Sequence, residues 1–281
     1  MVINYWEDSW RRLKSNKSAM IGLTFLLFLL IFAIIGPLFS KVTYYDTSLP
    51  LKNTPPCRAF IFGSDELGRS LYIRICWGAR ISLFIGITAA LIDMIIGVFY
   101  GGAAALFGKK VDEFMMRIAD MLNSLPHLLI VILLTVLMDQ GILSIIIAMT
   151  LTGWINMARI MRAQMISLKE QDFVMAAMAI GASRWRILWR HLIPNCFGSI
   201  ITTVTLTIPH AIFTEAFLSF LGLGVQAPFA SWGTMASDGL PAMSFYPWRL
   251  FFPAAFISLT MLAFNMLGDG MRDAFDPRLR K

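Results

Sequence analysis

Ala19–Phe39 is a run of 21 residues without a charge. At about 1.5 Å rise per residue it makes a helix of ~32 Å, long enough to cross a hydrocarbon core of about 30 Å. In that medium every backbone N–H and C=O must be paired within the segment, so a helix is the only form open to a lone run of this kind. Five further runs follow: Ile81–Leu106, Ile118–Met138, Ser144–Met161, Phe197–Leu221 and Leu250–Leu267. The expectation is an all-α, polytopic membrane protein with six transmembrane helices. Only 15% of the 281 residues are charged, against about 25% in soluble domains, which excludes a disordered, collagen-like or ordinary soluble chain. No cleavable signal peptide is expected, because the first seventeen residues are heavily charged and the apolar run behind them is too long for a signal sequence. Cys57, Cys76 and Cys196 fall at unrelated spacings that suit neither a disulfide framework nor a zinc site.

Lys and Arg set the expected orientation. With the N-terminus inside, 17 of the 24 lie on the cytoplasmic side, and six of the remaining seven lie in the long segment before Ile81. Both termini are therefore expected in the cytoplasm, and the net charge of +7 reads as loop enrichment rather than as a nucleic-acid surface. Trp6, Trp10 and Leu13 beside Arg11, Arg12 and Lys14 read as an interfacial anchor helix in contact with membrane lipid. The division that follows is 1–40 for the anchor helix and first span, 41–80 for an extracytoplasmic loop, 81–270 for the core, and 271–281 for a cytoplasmic tail.

Within the core, 162–196 reads as more than a connector. Asp172–Ile180 is helix-prone, with Phe173, Val174, Ala177 and Met178 on one side. Gly181 supplies a turn or C-cap, and Ser183 is a good N-cap for a second short helix. There Trp185, Leu188, Trp189 and Leu192 fall at i, i+3, i+4 and i+7, with Arg184, Arg186 and Arg190 mostly off that face, and Pro194 ends the helix. An amphipathic segment lying in the lipid headgroups and a knob gripped by an external protein both fit this pattern.

Other polar residues are weighed in the same way. Asp93 and Glu215 fall inside spans, where ionisable groups are costly; helix–helix hydrogen bonding is the plainer reading and function the sharper one. His127, His191 and His210 make no metal spacing. Pro126 and Pro209 are expected to kink their helices. Asp65, Glu66 and Arg69 are candidate contacts for an extracytoplasmic protein, although Ser64 before them also suits a plain N-cap. No G-x-x-x-x-G-K-[ST] run is present, so nothing here cradles ATP phosphates, and no catalytic constellation emerges.

The loop Gln171–Asn195 (QDFVMAAMAIGASRWRILWRHLIPN) resembles the EAA loop of binding-protein-dependent ABC importer permeases, with Ala176, Ala177, Gly181 and Pro194 in register. It departs from that pattern at Met175, His191 and Ile193, while Arg190–Asn195 (RHLIPN) is similar to the form of the peptide-permease branch. Trp10–Leu23, Phe62–Ser70 (FGSDELGRS), Gly78–Leu83, Leu218–Pro228 (LSFLGLGVQAP), Ser231–Gly233 and Asn265–Arg280 also resemble the C-type permease subunit of dipeptide/oligopeptide importers. That resemblance implies a type I ABC importer permease fold, with Asp172, Ala176, Ala177, Gly181, Ser183, Arg184, Arg190, His191, Pro194 and Asn195 forming an ATPase-coupling loop. It further implies a sister permease subunit, two cytoplasmic ABC ATPases that hold the ATP and Mg, and an extracytoplasmic substrate-binding protein. The implied cargo is a dipeptide or oligopeptide, with nickel or glutathione as alternatives in the same permease type. An ion-coupled secondary transporter is the alternative of a different class, disfavoured because the two halves show no inverted repeat.

Overall fold

The computed structural model describes residues 5–40, 42–139 and 141–275; Lys41, Arg278, Arg280, Lys281 and the side chain of Trp6 lie outside the described set. No strand occurs among the described residues; the chain is helical throughout, apart from loops and one isolated bridge between Ser64 and Ser70. The elements are α1 (Tyr5–Ser15), α2 (Lys17–Ile35), α3 (Leu71–Leu106), α4 (Lys109–Asn123), α5 (His127–Leu137) and α6 (Ile142–Lys169). They continue with α7 (Asp172–Ala179), α8 (Arg184–Ile187), α9 (Ile193–Asn195), α10 (Phe197–Phe220), α11 (Trp232–Gly239) and α12 (Trp248–Phe275). Lys17–Phe39, α3, α6, α10 and α12 are each long and apolar enough to span a bilayer, and α4 with α5 makes a sixth candidate only as a bent pair.

That bend corrects the expected span Ile118–Met138. The chain turns by 76° between α4 and α5. Pro126 has no N–H to give the helical ladder, and its ring disfavours helical geometry at Leu125, so the break falls at the proline. Pro209 lies inside α10, which runs on through it. Helix α4 is amphipathic and is held against α6 by Asp112–Arg162 and by Asp120–Arg159 at 2.7 Å.

Two helices overrun the limits that hydropathy alone set. Helix α3 starts at Leu71, ten residues inside the segment read as an outer loop, and α6 continues to Lys169, inside the segment read as the 162–196 loop. The two pack along each other at Gly97 and Gly101, where an added Cβ would meet Met157 and the carbonyl of Ala158. Glycine here lets two backbones approach closely, which is how helices associate in lipid. Helix α12 packs on α2, α10 and α11, and α1 folds onto the far end of α12, burying Leu13 against Ala19, Leu267 and Ala274 while Trp10 stays outside.

Apolar clusters join the helices. One, at the level of the 42–70 loop, joins Leu29, Leu71, Ile75, Ile212, Trp232 and Phe264. A second cluster joins Ile85, Val131, Ile145 and Leu218. A third, at the opposite end, joins Leu106, Met161, Met165, Val174, Leu188 and Leu192, and so seats the 172–195 segment on the ends of α3 and α6.

Candidate functional site

Helix α7 opens with Asp172, exposed in its first turn, where a carboxylate complements the helix dipole. It closes in a Schellman motif: Gly181 N–H donates to Met178 O at 2.9 Å and Ala182 N–H to Ala177 O at 3.0 Å. Gly181 has φ +86°, the left-handed conformation that glycine adopts without a Cβ penalty. Ser183 then caps α8, its Oγ accepting from Arg186 N–H at 3.3 Å.

Beyond α8 the helix widens. Leu188–Leu192 is a π-helical turn in which Ile193 N–H reaches the carbonyl of Leu188. The wider turn relieves the clash that Pro194 imposes on the carbonyl four residues back. The helix consequently does not end at Pro194, which sits at the start of α9 instead. Ile187, Leu188 and Leu192 are buried, whereas Trp185 and Trp189 are exposed, in place of the apolar row Trp185–Leu188–Trp189–Leu192 that 3.6 periodicity predicts. Of the first helix only Val174 is buried; Phe173 and Met178 face out.

The segment is tied down at several points. Lys169 Nζ donates to Ala105 O at 2.9 Å, and Asn195 Nδ2 to His191 O at 2.6 Å. His191 stacks near Phe173, Arg184 lies over Phe107 with 5.5 Å to the ring centroid, and Trp185 and Trp189 edge against Phe107 and Phe99. What remains outside is an apolar and basic surface of Phe173, Met175, Ile180 (88% exposed), Trp185, Trp189 and the exposed Arg190, with Ala176 in the same outward turn.

At the other end, Asp65 is buried rather than displayed. Its carboxylate accepts from Leu67 N–H and Arg69 N–H at 2.9 Å, from Arg69 Nε at 2.7 Å and from Arg74 at 2.5 Å. Burial pushes its pKa up, but the guanidiniums of Arg74 and Arg69 and the Arg69 N–H outweigh that and hold it below the usual carboxylate value. Glu66 is exposed and accepts from Arg249 at 3.0 Å, so the loop is locked to the start of α12. Ser64 caps no helix; its Oγ donates to Leu51 O and accepts from Thr54 N–H.

The two intramembrane carboxylates have opposite surroundings. Glu215 is fully buried and accepts from Ser82 Oγ at 3.0 Å and Ser219 Oγ at 2.7 Å. Ser219 meets Ser231, and Ser82 accepts from Trp232 N–H, so Glu215 knits α3, α10 and α11 together. Asp93 is 6% exposed, and its Oδ1 has no hydrogen-bond partner among the described residues. It lines a cavity together with His127 and His210, whose rings lie 6.0 Å apart although 83 positions separate them in sequence, a pairing that sequence spacing could not reveal. Among the described residues no group of three His, Cys, Asp or Glu is arranged to hold a metal.

Residues 94–281 match the family described as binding-protein-dependent transport system inner membrane component, and residues 4–56 match the N-terminal TM domain of oligopeptide transport permease C. The chain is 55% identical over 279 residues to the oligopeptide transport system permease protein OppC of Bacillus subtilis (strain 168), covering 99% of this chain and 92% of that one. It is 56% identical over 280 residues to the dipeptide transport system permease protein DppC of the same organism, covering 99% and 88%. In fold it is similar to a chain of the inward-facing MetNI methionine ABC transporter, with TM-score 0.58 at 14% identity over 70% of this chain and 94% of that one. The helical architecture is thus the type I ABC importer permease fold, and the chain belongs to the family of binding-protein-dependent transport system inner membrane components, as a C-type permease of its dipeptide/oligopeptide branch.

Proposed function

We propose that this chain forms half of the translocation pore of an ATP-driven importer of dipeptides or oligopeptides, multi-pass in the bacterial inner membrane with both termini in the cytoplasm. The observation that carries the reading is the identity above one half, over almost the whole chain, with relatives named as oligopeptide and dipeptide permeases. A sister permease completes the pore, two cytoplasmic ATPases holding ATP and Mg drive it, and an extracytoplasmic binding protein delivers the cargo. The chain itself is a transport subunit and not an enzyme.

Coupling runs through 172–195. This segment presents an apolar and basic outer surface while its inner face, Val174, Ile187, Leu188 and Leu192, is packed on the ends of α3 and α6. A push on Trp185 or Ile180 is therefore transmitted to α3 and α6, because packed interiors shift as units rather than deform. On the opposite side Glu66 and the loop it anchors face the binding protein, with Arg69 behind them, whereas Asp65 works as the buried post of that loop.

The test is reconstitution. Vesicles carrying the assembled complex and its binding protein should take up labelled dipeptides or oligopeptides with ATP inside, and the purified chain alone should hydrolyse no ATP. Uptake that needs no ATPase and collapses with the proton gradient would replace this reading with an ion-coupled transporter. Uptake restricted to nickel or glutathione would keep the permease and change the cargo.

A further inference from the structure

Two carboxylates lie within the spans, and only one has its hydrogen bonds met. Glu215 is surrounded by serine hydroxyls, whereas Asp93 Oδ1 is buried without a partner among the described residues. An unpaired carboxylate at this depth is expensive to keep, and serine or threonine would fill the same place at less cost. The group is also given room. Gly153 on α6 faces it, and a Cβ there would collide with both carboxylate oxygens.

Asp93 opens on a cavity of about 500 Å³ contributed by α3, α4, α5, α6 and α10. Its polar lining is Asp93, Asn123, His127, Thr152, Asn156, Thr207 and His210, and no Lys or Arg is among the lining residues. His127 Nδ1 is fixed on Thr152 Oγ1 at 2.7 Å, which holds that ring in place at the wall. At 1.5 Å per residue along α3, Asp93 lies about 20 Å from the Leu106 end, near the middle of the bilayer. The cavity therefore joins one unpartnered carboxyl group to amides and hydroxyls that both donate and accept hydrogen bonds. Those are the complements of an ammonium group followed by peptide units.

We propose that Asp93 is the cation-accepting group of a substrate subsite in this cavity, receiving the ammonium of a peptide in transit. This rests on the proposed function, since it takes the cavity to lie on a peptide path. Asn123 and Asn156 meet the backbone of the same peptide, and Gly153 keeps the carboxylate at the wall. The other way to compensate Asp93, a cation contributed by the sister subunit, is an outcome the test separates.

The experiment uses the assembled complex in vesicles and has two readouts. In the first, a single cysteine replaces exposed Asn156 in a background without Cys57, Cys76 and Cys196, and it is modified by a cationic and by an anionic methanethiosulfonate. A free negative charge at Asp93 should favour the cationic reagent by about tenfold, and Asp93→Asn should abolish the preference. In the second, peptide delivered per ATP hydrolysed is measured with saturating, preloaded binding protein. Asp93→Asn should lower it at least fivefold while ATP hydrolysis persists, and Asp93→Glu should restore most of it. If Asp93→Asn does not accumulate in the membrane, Gly153→Ala, whose methyl displaces the carboxylate from the wall but leaves its charge, should lower peptide delivered per ATP in the same way while the reagent preference persists. No reagent preference in the parent means a neutral Asp93 or one paired by the sister subunit, and overturns the proposal. So does unchanged delivery in Asp93→Asn when the parent transports peptide. A parent complex that takes up no peptide overturns the function reading itself.

Discussion

Replacing Gly181 by alanine, leucine and asparagine separates what this chain requires at the turn from what a partner requires. Gly181 closes the Schellman motif between α7 and α8 at φ +86°. Any L-residue with a Cβ held in that region loses roughly 1–2 kcal/mol, with asparagine at the low end because its short amide tolerates the left-handed conformation. A Cβ added at Gly181 has nothing within 4 Å, so bulk costs nothing further inside this chain. Alanine and leucine should therefore weaken the turn equally, to within a few tenths of a kcal/mol. If a partner ATPase sits over residues 180–182, leucine alone should then fail. The assay is peptide uptake and peptide-stimulated ATP hydrolysis at matched membrane levels of each variant. Expected is near wild-type behaviour for Gly181→Asn, a modest loss for Gly181→Ala and severe uncoupling for Gly181→Leu. Equal activity of the leucine and alanine variants would mean that nothing covers the turn, and full activity of all three would refute the strain argument as well.

Two other outcomes test topology and the outer loop. An impermeant thiol reagent on intact cells should label exposed Cys57, and should reach a cysteine placed at Ile180 only after the membrane is opened; native Cys196 is buried and should stay unlabelled in both conditions, and external labelling at residue 180 would invert the topology. Asp65→Ala leaves the guanidinium of Arg74 buried with only Asp238, at 3.7 Å, to face it, and should destabilise the loop by about 3 kcal/mol, read as proteolysis between residues 42 and 70. The Asp65 pKa is lower in the folded loop than in the unfolded chain. The stabilisation is thus fully present above the ordinary carboxylate pKa of about 3.9 and is lost as pH falls through the lower folded value, so protection that persists below that range would contradict the pairing.

What the sequence determined by itself is local in origin. Long apolar runs mark the spans because the bilayer tolerates little else, Pro126 marks the break before α5 because it lacks a donor, and Gly181 and Ser183 mark the turn through their own backbone and side-chain chemistry. Helix ends were set by tertiary packing. Residues 71–80 stay helical because they pack on Trp232, Gly36 and Phe62, and 162–169 because they pack on the Leu106 end of α3 and on the 172–195 segment. Faces were likewise decided in three dimensions, since packing on the ends of α3 and α6 buries Ile187, Leu188 and Leu192 and leaves Trp185 and Trp189 exposed, although regular periodicity puts both tryptophans in the buried row. The clearest case is the pair Asp93 and Glu215, alike in sequence as single acids in apolar runs. Ser82, 133 residues away, comes to Glu215 across a helix contact and helps satisfy it, while the helices around Asp93 bring a glycine and a cavity. Hydrogen bonding and charge depend on which atoms arrive within about 3 Å, and only the assembled bundle determines that.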